Sequence, residues 1–482
     1  MTRWFATLAS FLTGLLLVGC ASMQGLHTQA SLDDANRLAA TESLNGASVS
    51  RDAWPATDWW HSFNDGQLDQ LIDEALAGSP TLRVAEARTR QALAYAETTK
   101  AALLPQVNAD FAVTRERFSA RGLTPPPFAG TWATPHEMQA TLSWEIDFWG
   151  KNRAAFESAL GQARAAEVDA YAARLALSTT IAQAYVTLQR AYLQLDVAQA
   201  TLKEREQIYA LTRDRNAAGI DSRLELKQAE SALPATREQI AQLEETIQLA
   251  RNQLAALLGQ GPDRGLAIAR PTADAMPSVA VPSNVPAELI GRRPDLVAQR
   301  WRVEAATKNI DVAKAEFYPN VNLIAFIGLQ SIGPAGFLTA ASRMMGVGPA
   351  ITLPIFEGGR LTGNLAGKNA EYDIAVEAYN QALADALRDV VDQLTSFHSV
   401  DVQRTEQREA LATAQEAYDL ALVRYREGLG NYLQVLSAEQ PLRVQESLDA
   451  DLRARTLAIQ INLVRALGGG LAEESPHLAG TR

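Results

Sequence analysis

The 482-residue sequence predicts an α+β membrane protein that is built from two copies of one structural unit. Much of the chain recurs: Pro80 and Pro105 match Pro294 and Pro319, each 214 positions on, and from Leu142 onward the match lies 209 positions on. Each copy contains two segments in which apolar and polar residues alternate, followed by a long, proline-free helical pattern. A duplication of this length requires both copies to adopt the same structure.

The N-terminus has the pattern of a bacterial signal peptide. Arg3 precedes an apolar run from Trp4 to Leu17 that is too short for a stable membrane-spanning helix. The following residues, Leu17-Val-Gly-Cys20, resemble the site at which bacterial lipoproteins are cleaved and lipidated. The sequence therefore predicts a signal peptide over residues 1–19 and a lipid anchor on Cys20, the single cysteine. An ordinary secretory signal with an incidental cysteine is the alternative.

Four segments have the alternation of strands with one apolar and one polar face. The clearest is Met138–Phe148, and the others are Val107–Val113, Val321–Leu329 and Val347–Ile355. About ten residues of such alternation are typical of a membrane β-barrel strand, whereas a soluble, half-buried sheet is the alternative. Four strands cannot close a barrel, and lipid does not tolerate an open sheet edge. Several chains are therefore expected to share one barrel.

The long helical pattern of the first copy covers residues 151–218 and returns over 362–427. Its apolar seam is spaced by three and four residues, which predicts packing against partner helices. The seam consists of Ile181, Tyr185, Leu188, Tyr192, Leu195 and Leu202. Shorter helical patterns, Thr81–Leu104 and Ser222–Leu258 in the first copy, supply these partners. Pro234 and Pro441 are expected to bend the return helices.

These patterns divide the mature chain into five segments. Residues 20–79 carry the anchor and the first part of an irregular belt around the middle of the helices. Residues 80–258 form repeat 1, with a strand hairpin at 106–148, and residues 294–467 form repeat 2, with a hairpin at 320–356. The linker at 259–293 completes the belt, and residues 468–482 form a C-terminal tail.

Composition and motifs argue against several classes of function. The net charge of −11 and the lack of a basic cluster argue against nucleic acid as a partner. The five histidines lack metal-ligand spacing, and no glycine-rich phosphate loop lies between a strand and a helix. Glu145 and Asp147 could imitate a catalytic carboxylate pair, but water-facing strand residues are the simpler interpretation. The sequence therefore predicts no enzyme activity, no cofactor and no metal.

Four motifs are similar to those of the outer-membrane factor (TolC-like) family, in particular its NodT-type lipoproteins. They are Leu142-Ser-Trp-Glu-Ile-Asp-Phe-Trp-Gly-Lys, Arg292-Arg-Pro-Asp-Leu, Phe317-Tyr-Pro and Pro354-Ile-Phe-Glu-Gly-Gly-Arg. The resemblance extends from about Trp59 to Gly468. It implies a homotrimer with a twelve-stranded β-barrel, four strands per chain, continuous with a long α-helical barrel. It also implies an outer-membrane location with a large periplasmic part.

The resemblance further implies partners and a functional end. The partners are a periplasmic adaptor protein and an inner-membrane pump, often of the resistance-nodulation-division type. The turns that join each long helix to its return helix would contact the adaptor, through Ala218, Gly219, Ile220, Gly428 and Leu429. The helix after the second turn would line the periplasmic gate, through Leu433, Gln434 and Ser437. Since Gln434 and Ser437 are not acidic, Leu433 forms either an apolar ring that excludes ions by dewetting or ordinary coiled-coil packing.

Charged residues near these turns suggest a lock. Asp221 and Glu225 flank the first turn, and Arg424 and Arg426 precede the second. We expect ion pairs between these acids and arginines to hold the periplasmic end of the channel closed. Each partly exposed pair contributes only ~0.2–1 kcal/mol, so repetition around a trimer matters more than one pair.

The sequence thus predicts the outer-membrane channel of a tripartite efflux pump. It would be a passive exit duct for small toxic compounds or drugs, delivered by the inner-membrane transporter through the adaptor. The alternatives are an outer-membrane duct for polypeptide (type I) secretion and a lipid-anchored coiled-coil scaffold without a pore.

Overall fold

A computed structural model describes residues 23–38, 49–50, 54–272, 281–282 and 285–471. The signal peptide, Cys20 and the tail beyond residue 471 lie outside the described residues. The chain divides into two compact units. Of the described residues, unit 1 contains those from 23–32, 88–166 and 298–380, and unit 2 contains those from 33–87, 167–297 and 381–471.

The described residues form nine α-helices. In chain order they are α1 (Gly66–Gly78), α2 (Pro80–Lys100), α3 (Lys151–Ala217), α4 (Arg223–Leu257), α5 (Pro262–Leu266), α6 (Val285–Arg292), α7 (Pro294–Ala315), α8 (Arg360–Arg426) and α9 (Tyr432–Ala466). The long helices α3 and α8 contain 67 residues each, and the return helices α4 and α9 contain 35 each. Both pairs start and end 209 positions apart, which confirms the duplication. No helix of the described ranges is both long enough and apolar enough to cross a membrane.

The described strands are short except for four. They are β1 (Val49–Ser50), β2 (Gln106–Val113), β3 (Glu116–Arg117), β4 (Trp132–Ala133), β5 (Pro135–Glu145), β6 (Val281–Pro282), β7 (Asn320–Ile332) and β8 (Arg343–Thr352). In unit 1 the long strands form one antiparallel sheet in the order β2-β5-β7-β8. Within the described residues the edge strands β2 and β8 each pair on one side only.

The strand register places the predicted apolar rows on one face of this sheet. Leu142 lies opposite both Val107 and Ala325, and Ile327 lies opposite both Ala140 and Met345. Residues directly opposite each other in antiparallel strands point to the same side. Polar or small residues predominate on the other face, although Ile324 and Phe326 also lie there. The polar and small residues of this second face include Asn108, Thr141, Ser143, Glu145, Asn322, Gly346 and Gly348.

The strand boundaries differ from the prediction by up to four residues. β5 ends at Glu145 rather than Phe148, because the carboxylate of Asp147 accepts hydrogen bonds from the backbone N–H groups of Asn152 (3.0 Å) and Arg153 (2.9 Å). Asp147 therefore caps the start of α3 and is not a strand residue. β8 begins at Arg343 and ends at Thr352, ahead of Pro354, which has no N–H for a strand ladder.

The predicted irregular belt contains a helix that the prediction missed. α1 begins after Asp65, whose side chain accepts hydrogen bonds from the backbone N–H groups of Gln67 and Leu68. Four residues with helical spacing face the core, namely Leu68, Leu71, Ile72 and Ala75. An acidic N-cap followed by this spacing is a recognisable helix start, so the signal was present in the sequence.

The predicted seam of the first long helix is buried in unit 2. Ile181, Tyr185 and Leu188 are almost fully buried, Leu195 is buried, and Tyr192 packs against the same cluster. Their partners come from α1, α4 and α9 and from the single turn Trp59–Phe63. The structure therefore confirms that this seam packs against partner helices.

In unit 1 the start of the described chain packs against the helices. Met23 and Leu26 contact a cluster that contains Ile310, Phe317 and Leu365. The backbone N–H groups of Gln29 and Ala30 both donate to Asp373, each at 2.9 Å. This segment is therefore held in place before the first helix begins.

Candidate functional site

The two turns between long and return helices have the same construction. α3 and α8 are each followed by a glycine with positive φ, Gly219 (75°) and Gly428 (74°), as is common at helix C-termini. The return helices begin with polar caps at equivalent positions, Ser222 and Asn431. At the first turn, Glu225 completes the cap by accepting a hydrogen bond from the backbone N–H of Ser222 at 2.8 Å. Both turns are thus fixed by local interactions.

A buried polar cluster joins the first turn to the second long helix. The guanidinium of Arg215 forms an ion pair with Asp221 (Nε to Oδ2, 2.9 Å), and both side chains are about nine-tenths buried. The hydroxyl of Tyr425 donates to the same carboxylate at 2.6 Å. Arg215 also donates to the backbone carbonyl of Tyr425 at 3.0 Å, and its guanidinium lies 4.6 Å from the ring centroid. We call Arg215, Asp221 and Tyr425 the tip cluster.

The tip cluster keeps its charges fixed around neutral pH. Burial by itself would raise the pKa of Asp221, but the hydrogen bonds from Arg215 and Tyr425 outweigh it and lower the pKa. Burial and the neighbouring Asp221 carboxylate raise the pKa of Tyr425 to about 12. Asp221 is therefore an anion that accepts and Tyr425 a neutral donor, which keeps this interaction insensitive to pH in the physiological range.

Within one chain, Asp221 and Glu225 have other partners than the predicted Arg424 and Arg426. Asp221 is bound by Arg215 and Tyr425, and Glu225 by Ser222. Among the described residues of a single chain, neither acid forms an ion pair with Arg424 or Arg426. A signal for Tyr425 was present: it is the middle member of a seven-residue repeat with Tyr418 and Tyr432, and all three are buried in one cluster. No comparable sequence pattern marked Arg215.

The gate residues of the sequence prediction lie on the surface of the single chain. Leu433 is 65% exposed, and Gln434 and Ser437 are also exposed. Leu433 therefore does not pack within its own chain. Its counterpart in the first repeat, Leu224, is 64% exposed. Ile220 and Leu429 form a second equivalent pair, exposed by 63% and 72%.

A second polar cluster in unit 2 links the helices α3, α4 and α9. The almost fully buried carboxylate of Glu439 on α9 pairs with Arg205 on α3 at 2.7 Å. Arg205 also donates to the hydroxyl of Thr236 on α4 at 2.8 Å, so one guanidinium links three helices. Arg443 lies 3.8 Å from Glu439 and pairs with Glu446 at 2.7 Å. The sequence prediction did not include this cluster.

The structure does not form the carboxylate pair that Glu145 and Asp147 could have imitated. Glu145 forms an ion pair with Lys151 at 2.6 Å, and Asp147 caps α3. Over the described ranges, no group of histidine, cysteine, aspartate and glutamate side chains is placed to hold a metal ion.

Comparison with known proteins gives a consistent result. Residues 71–260 and 285–469 match the family model described as outer membrane efflux protein, once on each repeat. The fusaric acid resistance protein FusA of Burkholderia cepacia is 42% identical over 373 residues, which are 77% of this chain and 70% of that protein. The multidrug resistance outer membrane protein MdtP of Escherichia coli is 33% identical over 426 residues, 86% of this chain and 87% of that protein.

Solved structures share the same fold. The outer membrane protein VceC of Vibrio cholerae matches with a TM-score of 0.81 and 36% identity, covering 87% of this chain and 100% of that chain. CusC, studied for folding and transmembrane channel formation, matches with a TM-score of 0.79 and 28% identity, covering 87% of this chain and 98% of that chain. The duplicated helices, the four-stranded sheet and these matches show that the chain belongs to the outer membrane efflux protein family.

Proposed function

We propose that three copies of this chain form the outer-membrane channel of a tripartite efflux pump. The observation that carries the proposal is a four-stranded sheet with one apolar face and two edge strands that lack a second partner within the described chain. Such edges must be paired in lipid. Three chains with four strands each would give a twelve-stranded barrel, which lies within the range of membrane barrels.

The channel would be a passive duct for small toxic compounds. Relatives named for resistance to fusaric acid and to multiple drugs support this substrate class, and favour it over polypeptide secretion. The energy would come from the inner-membrane pump, of the resistance-nodulation-division type. Deleting the gene should lower the minimum inhibitory concentrations of fusaric acid and unrelated drugs, and the wild-type gene should restore them. Unchanged susceptibility together with loss of a secreted polypeptide would support the secretion duct instead.

The start of the described chain supports a lipid anchor on Cys20. Met23 packs in the same cluster as Phe317, three positions before β7 begins at Asn320. Met23 therefore brings the described chain close to the end of the sheet, where a barrel would meet the membrane surface. An acyl chain on Cys20 could then enter the outer membrane beside the barrel.

The periplasmic adaptor would bind at the two turns. The exposed apolar pairs Ile220/Leu429 and Leu224/Leu433 recur at equivalent positions of the two repeats, so an adaptor could use similar contacts on both. The contact surface would include Ala218, Gly219 and Gly428. A partner there would cover leucine and isoleucine side chains that the single chain leaves in water.

The gate would combine the tip cluster with contacts between chains. The tip cluster holds the first turn against α8 within each chain, while exposed Arg424 and Arg426 are available to acidic groups of a neighbouring chain. Leu433, one helical turn from Ser437, would form the apolar ring. Opening would be a shear-type movement of the helix ends driven by the adaptor.

Carbonate extraction tests whether the sheet is a barrel. Residues 1–20 are replaced by a secretory signal that does not lead to lipidation, and the outer membranes are then extracted. If the protein stays embedded and migrates as a trimer in detergent, the sheet anchors it as a barrel. Release as a soluble protein would support the lipid-anchored scaffold without a pore.

Single-channel conductance tests the gate. Asp221→Ala, Arg426→Ala and their double variant should each increase conductance or open time, and Tyr425→Phe should do so more weakly. Asp214→Ala is the matched control, because Asp214 lies in the same helix end but is largely exposed beside Arg213. If all these variants conduct like the wild type, the gate does not depend on these residues.

A further inference from the structure

A notch lies in unit 1 where the central strands meet the helices. Its volume is about 390 Å³, and it is lined by α3 on one side and α7 on the other. The rings of Trp149 and Tyr318, which line it, stack with centroids 4.5 Å apart and planes 18° apart. The indole N–H of Trp149 donates to the carbonyl of Pro319 at 2.9 Å, which holds the stack in place. Arg153 and Lys314 also line the notch.

The charges in the notch leave two cations available. Of the two acids, Glu157 pairs with Lys308 at 2.7 Å. Asp311 is exposed and forms no ion pair among the described residues, so the unpaired charges that line the notch are two cations and one carboxylate. Across the described part of the chain, neither Arg153 nor Lys314 forms an ion pair, and both are exposed. An anion between them would gain charge-assisted hydrogen bonds from both sides.

The two cations of the notch lie on the side of their helices away from the polar face of the sheet. Lys151 reaches the polar side, since it binds Glu145, and Arg153 lies two residues, or about 200°, further around α3. On α7 and its continuation, Glu316 likewise faces Asn364 and Arg360. Lys314, two residues before Glu316, therefore points the opposite way, while the Trp149–Tyr318 stack borders both the notch and the space beside Glu145 and Glu316.

The residues at the equivalent positions of the other repeat differ in chemistry. Lys100 corresponds to Lys314, but its ammonium is paired with Glu97 at 3.4 Å and lies 5.8 Å from the ring centroid of Phe156. Leu104 and Gly358 stand where Tyr318 and Trp149 complete the aromatic stack. Among the described residues, the combination of two cations with an aromatic stack is therefore not repeated at the equivalent positions.

We propose that this notch binds the headgroup of a glycerophospholipid, with the phosphate held between Arg153 and Lys314 and the glycerol region against the Trp149–Tyr318 stack. Aromatic rings of this kind favour the membrane–water interface. The site lies below β5 and β7, the interior strands, so strand pairing between chains at β2 and β8 leaves it open. The inference rests on the proposed function, because only a barrel in a membrane presents this side to lipid.

The test compares lipid retention in purified trimers by native mass spectrometry, after incubation with dioleoyl phosphatidylethanolamine. The test variants are Lys314→Gln and the double variant Arg153→Gln/Lys314→Gln. Lys100→Gln is the matched control. The wild type and the control should retain lipid, and the double variant should lose about ten-fold in affinity, which corresponds to about 1.4 kcal/mol. Lys314→Gln should lie between them, and glycerol 3-phosphate should not displace the lipid.

Conductance of the same preparations in planar bilayers separates the two proposals. If the variants conduct normally and retain lipid like the wild type, the lipid site is overturned and the channel stands. Displacement by glycerol 3-phosphate alone would assign the notch to a soluble phosphate and would also overturn the lipid. A wild type that forms no conducting trimer would overturn the proposed function and the lipid site with it.

Discussion

Asp65 connects three separate stretches of chain through one buried carboxylate. It accepts hydrogen bonds from the backbone N–H of Gln67 (3.0 Å), the hydroxyl of Tyr185 (2.8 Å) and the backbone N–H of Thr272 (3.1 Å). Burial by itself would raise the pKa of Asp65, but these hydrogen bonds outweigh it and lower the pKa. The residue therefore stabilises the folded state in its ionised form.

Asp65→Ala should lower the free energy of unfolding by ~2–4 kcal/mol, through loss of a helix cap and of buried hydrogen bonds. Because the folded-state pKa lies below the unfolded value of about 3.9, this stabilisation is complete above about pH 5 and is lost as the pH falls through the folded-state pKa. Thermal unfolding at several pH values measures both effects. Asp73→Ala, an exposed position of the same helix, should change little, and an equal loss there would contradict the assignment.

Single residues were the hardest level to predict from the sequence. The exposed side of α9 follows from helical spacing, so Leu433, Gln434 and Ser437 could be placed on a surface. The partner of Asp221 could not be found in the same way. Arg215 lies six positions before it, across a turn whose geometry depends on Gly219, and Tyr425 comes from the other repeat. Long-range polar contacts have no periodicity that a sequence would display.

The glycines that follow two helices of the first repeat differ in how closely they are packed. Gly219 and Gly259 follow α3 and α4, and both have positive φ, 75° and 74°. A Cβ atom at Gly219 would have nothing within 4 Å, whereas one at Gly259 would lie 2.6 Å from Cδ of Pro80. The first turn is therefore surrounded by open space, and the second is packed against the start of α2.

Gly259→Ala should destabilise the protein more than Gly219→Ala. Both substitutions place a side chain at positive φ, which costs about 1–2 kcal/mol, but only Gly259→Ala adds a clash with Pro80. Chemical denaturation of the two purified variants measures the difference. Equal losses would mean that the contact with Pro80 is relieved by a small shift.

Elements were predictable where their periodicity was long. The long helices end within one or two residues of the predicted boundaries, because their apolar seams persist over many turns. β3 and β4, with two residues each, are too short to show alternation. α1 was missed because its apolar spacing covers only three turns between irregular segments.

The two faces of the sheet are expected to differ in whether they tolerate a charged side chain. Ile327, 62% exposed on the apolar face, lies directly opposite Ala140, while the neighbouring Thr141 points to the other side. Ile327→Arg should cost about 2–4 kcal/mol per chain, as for a cation facing the middle of the bilayer. Thr141→Arg, at nearly the same depth, should insert normally and shift ion selectivity toward anions.

The amount of trimer in outer membranes that resists denaturation on unheated gels measures insertion of both variants. Reversal potentials in planar bilayers then report the selectivity of Thr141→Arg. If Ile327→Arg assembles as well as Thr141→Arg, the apolar face is not in contact with lipid and the sheet is not part of a membrane barrel.

The equal lengths of α3 and α8, and of α4 and α9, restrict how this protein can evolve. An insertion in one long helix would put its seam out of step with its partners unless the other gained the same number of residues, most simply seven, which restores the apolar spacing. The hairpin between β2 and β5 has no such partner, and it is already the longer of the two. Length differences among descendants should therefore accumulate in that hairpin, while the helices change in matched steps or not at all.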